Sequence, residues 1–334
     1  MRMTKENPWP SSSEGGIPGI EKDIGAVFLP LPMRAVFVGT GGSWPSPERN
    51  VMAFALSMGR DVLLFDCGEG TQRQLMRSSV SFMKISKIFI SHFHGDHFLG
   101  LPGLIQSMSL NDRKDKLEIY GPSGTEALVQ TLMSLGYFTP TYPVVVRDLQ
   151  SGDSIKCEGY SVRCVDASHN VPTIAYAVEE EPRPGKFSLE KAKALGIPAG
   201  PLYSKLQAGE TVAHAGKKFT PDMVMGPPRR GRKVVYTGDT KPCAEIEELA
   251  ASADLLVHDA TSAADLEEKA NTYGHSSSRQ AAEMAKKAGV KTLVLVHISP
   301  RYEETEQLLK DAQDVFPNTI LPKDLDELEI KFTD

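Results

Sequence analysis

This chain of 334 residues is poor in cysteine, with four, and in tryptophan, with two, and it has no apolar run of about 18 residues. Cys67, Cys157, Cys164 and Cys243 form no C-x-x-C pair, so a disulfide framework is not expected and a reduced, cytoplasmic setting is. The missing apolar run excludes a membrane-spanning helix. The first 32 residues lack the basic start and long apolar segment of a signal peptide. Rich in Pro, Ser and Gly, residues 1–32 are expected to form a weakly ordered extension ahead of a folded body, 33–334, with Met33 an alternative start. Internal repeats and low-complexity tracts are absent as well. What remains is ordinary: 40% apolar and 24% charged residues describe a folded protein with a substantial core.

The net charge of −6, taken alone, argues against a nucleic-acid partner. The sum hides an asymmetry, because residues 182–233 carry eleven Lys and Arg against three acids, +8, and the rest carries −14. This basic stretch falls in a Gly- and Pro-containing insertion, 179–232, with one short helical stretch, SLEKAKALG, and no sustained apolar period. A long insertion inside a compact domain is functional or disordered. Its charge points to a protruding arm that contacts something anionic.

On either side of the insertion, short β-branched runs alternate with amphipathic helical patterns. RAVFVGT, NVMAFALSM, DVLLFDCG, KIFIS, LEIYG, VVVRDL, YSVRCVDAS and TIAYAV read as strands before it; KVVYTGD, DLLVHDA, TLVLVHIS and ELEIKF read as strands after it. Helical spacing appears in EGTQRQLMRSS, LPGLIQSMSLN, SGTEALVQTLMSLG, AEIEELAAS, SSSRQAAEMAKKAG and TEQLLKDAQDVF. The fold class is therefore α/β, in two halves.

Three of the eight histidines crowd into SHFHGDHFLG, Ser91 to Gly100, directly after the apolar run KIFI. Neutral imidazole and carboxylate are the donors that borderline divalent metals take. His92 and His94, two apart, can point the same way from an extended or turn backbone, and Asp96 and His97 follow on the next turn, so one loop can serve two ions. Most other polar candidates also stand where a strand gives way to a loop, namely His169, Asp239, His258 and His297, while His275 precedes a helix and His214 falls outside the pattern. Asp239 has two oxygens and is the natural carboxylate to bridge two ions. A paired divalent site suits hydrolysis of an ester, a phosphodiester or a β-lactam.

SHFHGDH, the single His169, the GDT at Gly238 to Thr240 and the His297 of VHIS resemble the metallo-β-lactamase superfamily. More narrowly, FDCGEGTQRQL (Phe65 to Leu75), HDAT (His258 to Thr261), GHSS (Gly274 to Ser277) and AGPLYSKLQAGE (Ala199 to Glu210) resemble the ribonuclease Z family of tRNA 3′-processing endonucleases. The resemblance implies a four-layer αββα sandwich with an inserted arm and two Zn²⁺ per subunit, with Mn²⁺ or Fe²⁺ also accepted by such donors. It assigns His92, His94 and His169 to one ion, Asp96, His97 and His297 to the other, and Asp239 to both. It implies that Asp96 orients the attacking hydroxide and that His275, assisted by Asp259, protonates the leaving 3′ oxygen. Glu is more frequent in the family at the Asp259 position. Asp66 and His258 are implied to stand behind the ligands. Arg49 and Asn50 of PSPERN are implied near the acceptor end, with Pro47 where Lys is common, and Gly200, Pro201, Lys205, Leu206 and Gly209 on the tRNA-binding arm. The substrate implied is precursor tRNA, cleaved to leave a 3′ hydroxyl on the tRNA, and the implied assembly is a homodimer.

Two other readings fit part of the pattern. A small-molecule hydrolase of the same fold, acting on a thioester, sulfate ester or cyclic nucleotide, leaves the basic insertion without a purpose. A non-catalytic RNA-binding protein with structural metal needs only a closed four-donor site, and this chain supplies donors for two ions and acid/base groups besides.

Overall fold

A computed structural model describes residues 32–332, so the expectation for residues 1–31 lies outside the described residues. The strand patterns assemble into two seven-stranded sheets. One runs Glu327–Glu329, Met33–Gly39, Ala53–Met58, Asp61–Phe65, Ile85–Phe89, Leu117–Pro122, Val144–Leu149; the other runs Thr319–Ile320, Thr292–Val296, Leu255–Asp259, Lys233–Tyr236, Ile174–Glu180, Tyr160–Asp166, Ser154–Lys156. Each joins antiparallel strands to a parallel series. Parallel strands buried on both faces need apolar residues at every position, which is why these runs read as continuous rather than alternating.

Period two reappears in where the side chains go. Along Met33–Gly39, Met33, Ala35 and Phe37 enter the cluster between the sheets, while Val36 and Val38 join a cluster on the outer face. Leu255 and Val257 point between the sheets and Leu256 points away. Between the sheets, Phe54, Phe65 and Phe89 meet Tyr176 and Tyr236 across the gap at ring-centroid distances of 5.2 to 5.9 Å. Deleting one such ring costs about 3–5 kcal/mol. Helices Thr71–Arg77, Leu101–Leu110 and Thr125–Met133 cover one outer face through Leu75, Leu104, Ile105 and Val129. Helices Ala244–Ala250, Ser278–Ala288 and Glu306–Gln313 cover the other through Ile246, Ala281, Ala285 and Leu308. The result is a four-layer αββα sandwich. No helix among the described residues is long and apolar enough to cross a membrane.

Pro184–Pro227 form a separate compact unit. It contains helices Leu189–Ala194 and Pro201–Gln207 and a hairpin pairing Val212–His214 with Lys217–Phe219. Ala192, Ile197, Leu206, Val212, Phe219 and Val224 are its own small core. The single helix expected in the insertion is therefore an undercount, because elements of three to seven residues are too short to display a period. Its charge also needs correction. Arg183, Arg229, Arg230, Arg232 and Lys233 belong to the sandwich unit, where Arg232 reaches Glu180 at 2.6 Å and lies 4.0 Å from the Phe332 ring centre. Arg230 meets Asp254 at 3.0 Å. Within Pro184–Pro227, six lysines stand against three acids, a net +3.

Candidate metal centre

The polar residues singled out by sequence gather at strand ends of the sandwich. Asp61–Phe65 runs into Asp66, Ile85–Phe89 leads to His92, Lys233–Tyr236 to Asp239, and Thr292–Val296 into His297. A four-residue helix, Gly95–Phe98, turns Asp96 and His97 back beside His92; four residues are too few for the sequence pattern to reveal. Asp66 and His297 adopt left-handed backbone, φ 56° and 60°, a conformation held at a cost in non-glycine residues and concentrated at functional sites. The turn into the helix Ser278–Ala288 fixes His275: Ser277 and Gln280 form a reciprocal capping box, and the Ser276 hydroxyl donates to the Thr240 carbonyl at 2.7 Å.

Two donor groups result, joined by one carboxylate. In the first, His92 Nε2 lies 3.0 Å from His94 Nδ1 and 3.5 Å from Asp239 Oδ2, and His94 Nδ1 lies 3.3 Å from His169 Nε2. In the second, Asp96 Oδ2 lies 3.5 Å from His97 Nε2 and 3.3 Å from His297 Nε2, and Asp239 Oδ2 lies 3.3 and 3.2 Å from the same two nitrogens. Donors about 2.0–2.1 Å from a tetrahedral ion are about 3.3 Å from one another. The buried atoms His97 Nε2 and Asp239 Oδ1 have no hydrogen-bond partner, an arrangement that costs free energy unless a cation takes their lone pairs. The donor set and its spacing therefore fit divalent metal.

The far sides of the His92, His97, His169 and His297 rings are pinned so that a lone pair faces the pocket. His97 Nδ1–H donates to Asp66 Oδ2 at 2.6 Å, and His169 Nδ1–H to the Gly274 carbonyl at 2.8 Å. The Thr261 hydroxyl donates to Asp259 Oδ1 at 2.8 Å, so its oxygen accepts from His297 Nδ1 at 2.8 Å. The Ser91 hydroxyl likewise donates to Asp66, at 2.7 Å, and accepts from His92 Nδ1 at 3.0 Å. Asp66 also accepts from Ser91 N–H at 2.7 Å and from the Tyr236 hydroxyl at 2.5 Å. Gly42 leaves room for the His297 ring, since a Cβ there would fall 2.4 Å from Cε1.

Burial works against ionised carboxylates here, yet the His297 and His97 rings beside it hold Asp96 well below the usual carboxylate range. Asp239 is lowered likewise, His297, His97 and His92 standing beside it against the same burial. Burial drives His92 well below its ordinary value, whereas Asp239 and Asp66 overcome burial at His97 and lift it well above. Two ionised carboxylates, Asp96 and Asp239, thus stand at the centre of the pocket. His275 Nδ1 lies 2.9 Å from Asp259 Oδ2; burial opposes its charge, but Asp259 and Asp239 prevail and raise its pKa to about 9.

A family model for a beta-lactamase superfamily domain matches residues 220–298, and one for the anti-Pycsar protein Apyc1 matches residues 33–176. The chain is 50% identical over 301 residues to a ribonuclease Z of Methanosarcina acetivorans, an alignment covering 90% of this chain and 99% of that protein. The chain belongs to the ribonuclease Z family. It is accordingly an endoribonuclease, a hydrolase of phosphodiesters. A second family member, from Archaeoglobus fulgidus, is 46% identical over 90% of this chain and 98% of its own. Among solved structures, human tRNase Z, short form, superposes with a TM-score of 0.66 at 30% identity, covering 90% of this chain and 100% of that one. The metallo-beta-lactamase fold protein YhfI of Bacillus subtilis, 21% identical with a TM-score of 0.65 over 90% of this chain and 99% of that one, shares the fold.

Not every residue to which the ribonuclease Z pattern assigns a role stands where that role needs it. His258 is fully buried, with Nδ1–H donating to the Asp259 carbonyl at 2.8 Å and Nε2 without a hydrogen-bond partner, so it bonds to no metal donor. Arg49 directs its guanidinium to Thr40 Oγ1 at 2.6 Å and to the Pro322 carbonyl at 2.7 Å. Asn50 donates through its backbone to Asp324 at 2.6 Å and through its amide to the Glu69 carbonyl at 2.9 Å. Both hold the loop they sit on. Asp324, which no motif marks, accepts from Thr40 N–H, Thr40 Oγ1 and Gln74 Nε2 at 3.0, 2.8 and 2.8 Å and so fastens both ends of that loop. Gly200, Pro201, Lys205 and Gly209 are exposed in the Pro184–Pro227 unit, but the Leu206 side chain is buried in that unit's core and packs rather than contacts a ligand.

Proposed function

We propose that this family member is a two-zinc endoribonuclease that removes the 3′ trailer of precursor tRNA and leaves a 3′ hydroxyl on the tRNA. One observation carries the metal assignment: a single Asp239 oxygen lies 3.2 to 3.5 Å from the Nε2 atoms of His92, His97 and His297, between two histidine groups. Zn²⁺, Mn²⁺ or Fe²⁺ suits these donors. Two such ions, when bound, polarise a phosphate oxygen and lower the pKa of water. The chain's own groups supply the rest. Asp96, whose Oδ2 accepts from Ser43 N–H at 2.6 Å, orients the attacking water. His275, held protonated by Asp259, gives its proton to the 3′ oxygen as the bond from phosphorus to that oxygen breaks. The water oxygen stays on phosphorus, and the trailer leaves with a 5′ phosphate. In this reading the shorter Asp259 does the work of the more frequent Glu, because its Oδ2 already reaches His275.

The tRNA assignment is supported by the relatives' names and by the lysines of the insertion. In this reading residues 33–334 are the catalytic domain and 179–232 its tRNA-binding arm, with Lys191, Lys193, Lys205, Lys217 and Lys218 exposed on the unit Pro184–Pro227. Such contacts go to phosphates, so binding is salt-sensitive and reads RNA by shape. Four free cysteines suit action in the cytoplasm. The test is incubation of the purified protein with a 3′-extended tRNA transcript, with and without a chelator. Trimming to a 3′ hydroxyl, lost on chelation and restored by zinc, is expected; trimming indifferent to the chelator contradicts the metal reading, and no trimming contradicts the substrate.

A further inference from the structure

We propose that Trp44 and Arg301 form a stacking platform for the nucleobase next to the scissile phosphate on the trailer side, an inference that rests on the tRNA-processing reading above. Trp44 is 51% exposed, and the Arg301 guanidinium carbon lies 5.6 Å from its ring centre. A chain with two tryptophans holds one of them out into water here.

The exposure does not come from slack in the loop. Thr40 and Asn50, at the two ends, are tied to Asp324. Gly42 N–H donates to the Ile298 carbonyl at 3.0 Å and its Cα faces His297 too closely for any side chain. Ser43, in left-handed backbone at φ 66°, gives its N–H to Asp96 Oδ2 at 2.6 Å, and Trp44 N–H turns back to the Gly42 carbonyl at 2.8 Å. Trp44 therefore leaves the chain one residue beyond a contact to one metal donor, Asp96. Arg301 leaves it four residues beyond another, His297. Both thus leave the chain within a few residues of a metal donor.

An indole with a guanidinium over it, rigidly presented beside a phosphodiester-cleaving site, matches how single-stranded bases are held: on aromatic and arginine planes, with little regard to sequence. The side follows from the direction of the reaction. The 3′ oxygen leaves toward His275, so the last tRNA nucleoside lies on the His275 side. In-line attack sets the water opposite that oxygen and leaves the 5′ oxygen equatorial, so the trailer nucleotide diverges from the His275 side; Trp44, tied through Ser43 to Asp96 rather than to His275, is the aromatic placed to meet it.

The test uses 3′-extended tRNAs carrying either a normal nucleotide or an abasic residue at the first trailer position, with the ratio of kcat/KM on the two substrates read for each enzyme. Wild type is expected to favour the intact base roughly 5- to 150-fold, the range that stacking on an aromatic ring gives. Trp44→Ala should bring the ratio close to one, Trp44→Phe should keep most of it, and Arg301→Ala should lower it partially. Zinc content measured on each variant checks that the centre is assembled. An unchanged ratio in Trp44→Ala overturns the platform. A penalty that Trp44→Ala abolishes only when the abasic residue is the last tRNA nucleotide overturns the side assigned. Failure of wild type to cut the intact tRNA overturns the underlying reading instead, and the wild-type reaction alone distinguishes the two failures.

Discussion

Asp66→Asn is the sharpest probe of how the protein positions its metal donors. Asp66 is fully buried and accepts four hydrogen bonds: Ser91 N–H on Oδ1, and the Ser91 hydroxyl, His97 Nδ1–H and the Tyr236 hydroxyl on Oδ2. Its backbone is left-handed, which Asn tolerates nearly as well as Asp. The substitution therefore removes the charge and leaves shape and backbone intact. In either orientation the new amide NH₂ faces a donor. Facing Ser91 N–H it loses one bond, whereas facing the other three it loses three, so the first orientation prevails.

Three charge-assisted bonds then become neutral, a loss of about 1 kcal/mol each, and one buried donor goes unpaired at about 1–3 kcal/mol. Relief from burying a carboxylate offsets part of this. The net destabilisation of the metal-free protein is about 2–4 kcal/mol. His97 also loses the carboxylate that makes its Nε2 a strong donor, and zinc affinity falls about 10- to 100-fold. Competition with a chelating dye measures the affinity, and thermal unfolding of the metal-free variants measures the stability. Zinc affinity within twofold of wild type, with unaltered unfolding, would refute the account of Asp66 as the group that aims His97.

Asp239→Ala removes the donor common to both groups, so zinc content should drop and cleavage should vanish while filter-retained binding of precursor tRNA stays within a few-fold; loss of neither zinc nor activity would sink the bridging assignment. Asp259→Asn withdraws the charge that lifts His275 to about 9 against burial, so the alkaline limb of kcat against pH should move to lower pH. The wild-type pair stabilises the fold fully below the unfolded value of 6.5, and that contribution fades as pH rises through about 9, a trend the variant should lack in pH-dependent unfolding. Gly185 and Gly226 lie so close that a Cβ on Gly185 would fall 2.0 Å from the Gly226 carbonyl oxygen, so residues 186–225 can be replaced by a short linker. That variant should keep its cleavage of bis(p-nitrophenyl) phosphate and lose precursor-tRNA affinity, seen as a KM about tenfold or more higher that no longer rises steeply with salt. Equal effects on both substrates would argue against the arm.

The sandwich was legible because its strands are covered on both faces, so Val36 and Phe37 both had to be apolar although they point to opposite layers. The donors were legible too, since His and Asp at strand ends are uncommon enough to stand out. What escaped was whatever depends on contacts distant in sequence. Tyr236 and Asp324 belong to residue types found throughout any sequence, and nothing local marks them as the ones that hold Asp66 or the Thr40–Asn50 loop; Ser91 and Thr261 stand inside quoted motifs, yet nothing there tells that their hydroxyls hold His92 and His297. Charge misled for the same reason: the sign of Arg232 is visible in sequence, but its partner Glu180 is 52 residues away. In the insertion, each strand of the hairpin buries one residue, Val212 or Phe219, and three residues per strand are too few to display a period.

The metal centre also bears on why the two sheets stay together. Each donor group draws from both: His92 and His94 from the first sheet with His169 and Asp239 from the second, then Asp96 and His97 from the first with His297 from the second. The protein's own atoms repeat this crossing just beneath, where the Tyr236 hydroxyl of the second sheet donates to Asp66 of the first and the Tyr176 hydroxyl donates to the Ile90 carbonyl at 2.6 Å. Both tyrosine rings pack in the aromatic cluster between the sheets. A bound ion is therefore a cross-link between the two halves of the sandwich, and by linkage its binding free energy adds to the stability of their association. Asp96 and Asp239 bring two carboxylates among buried rings at the seam where the two sheets meet, and a divalent cation there offsets their charge.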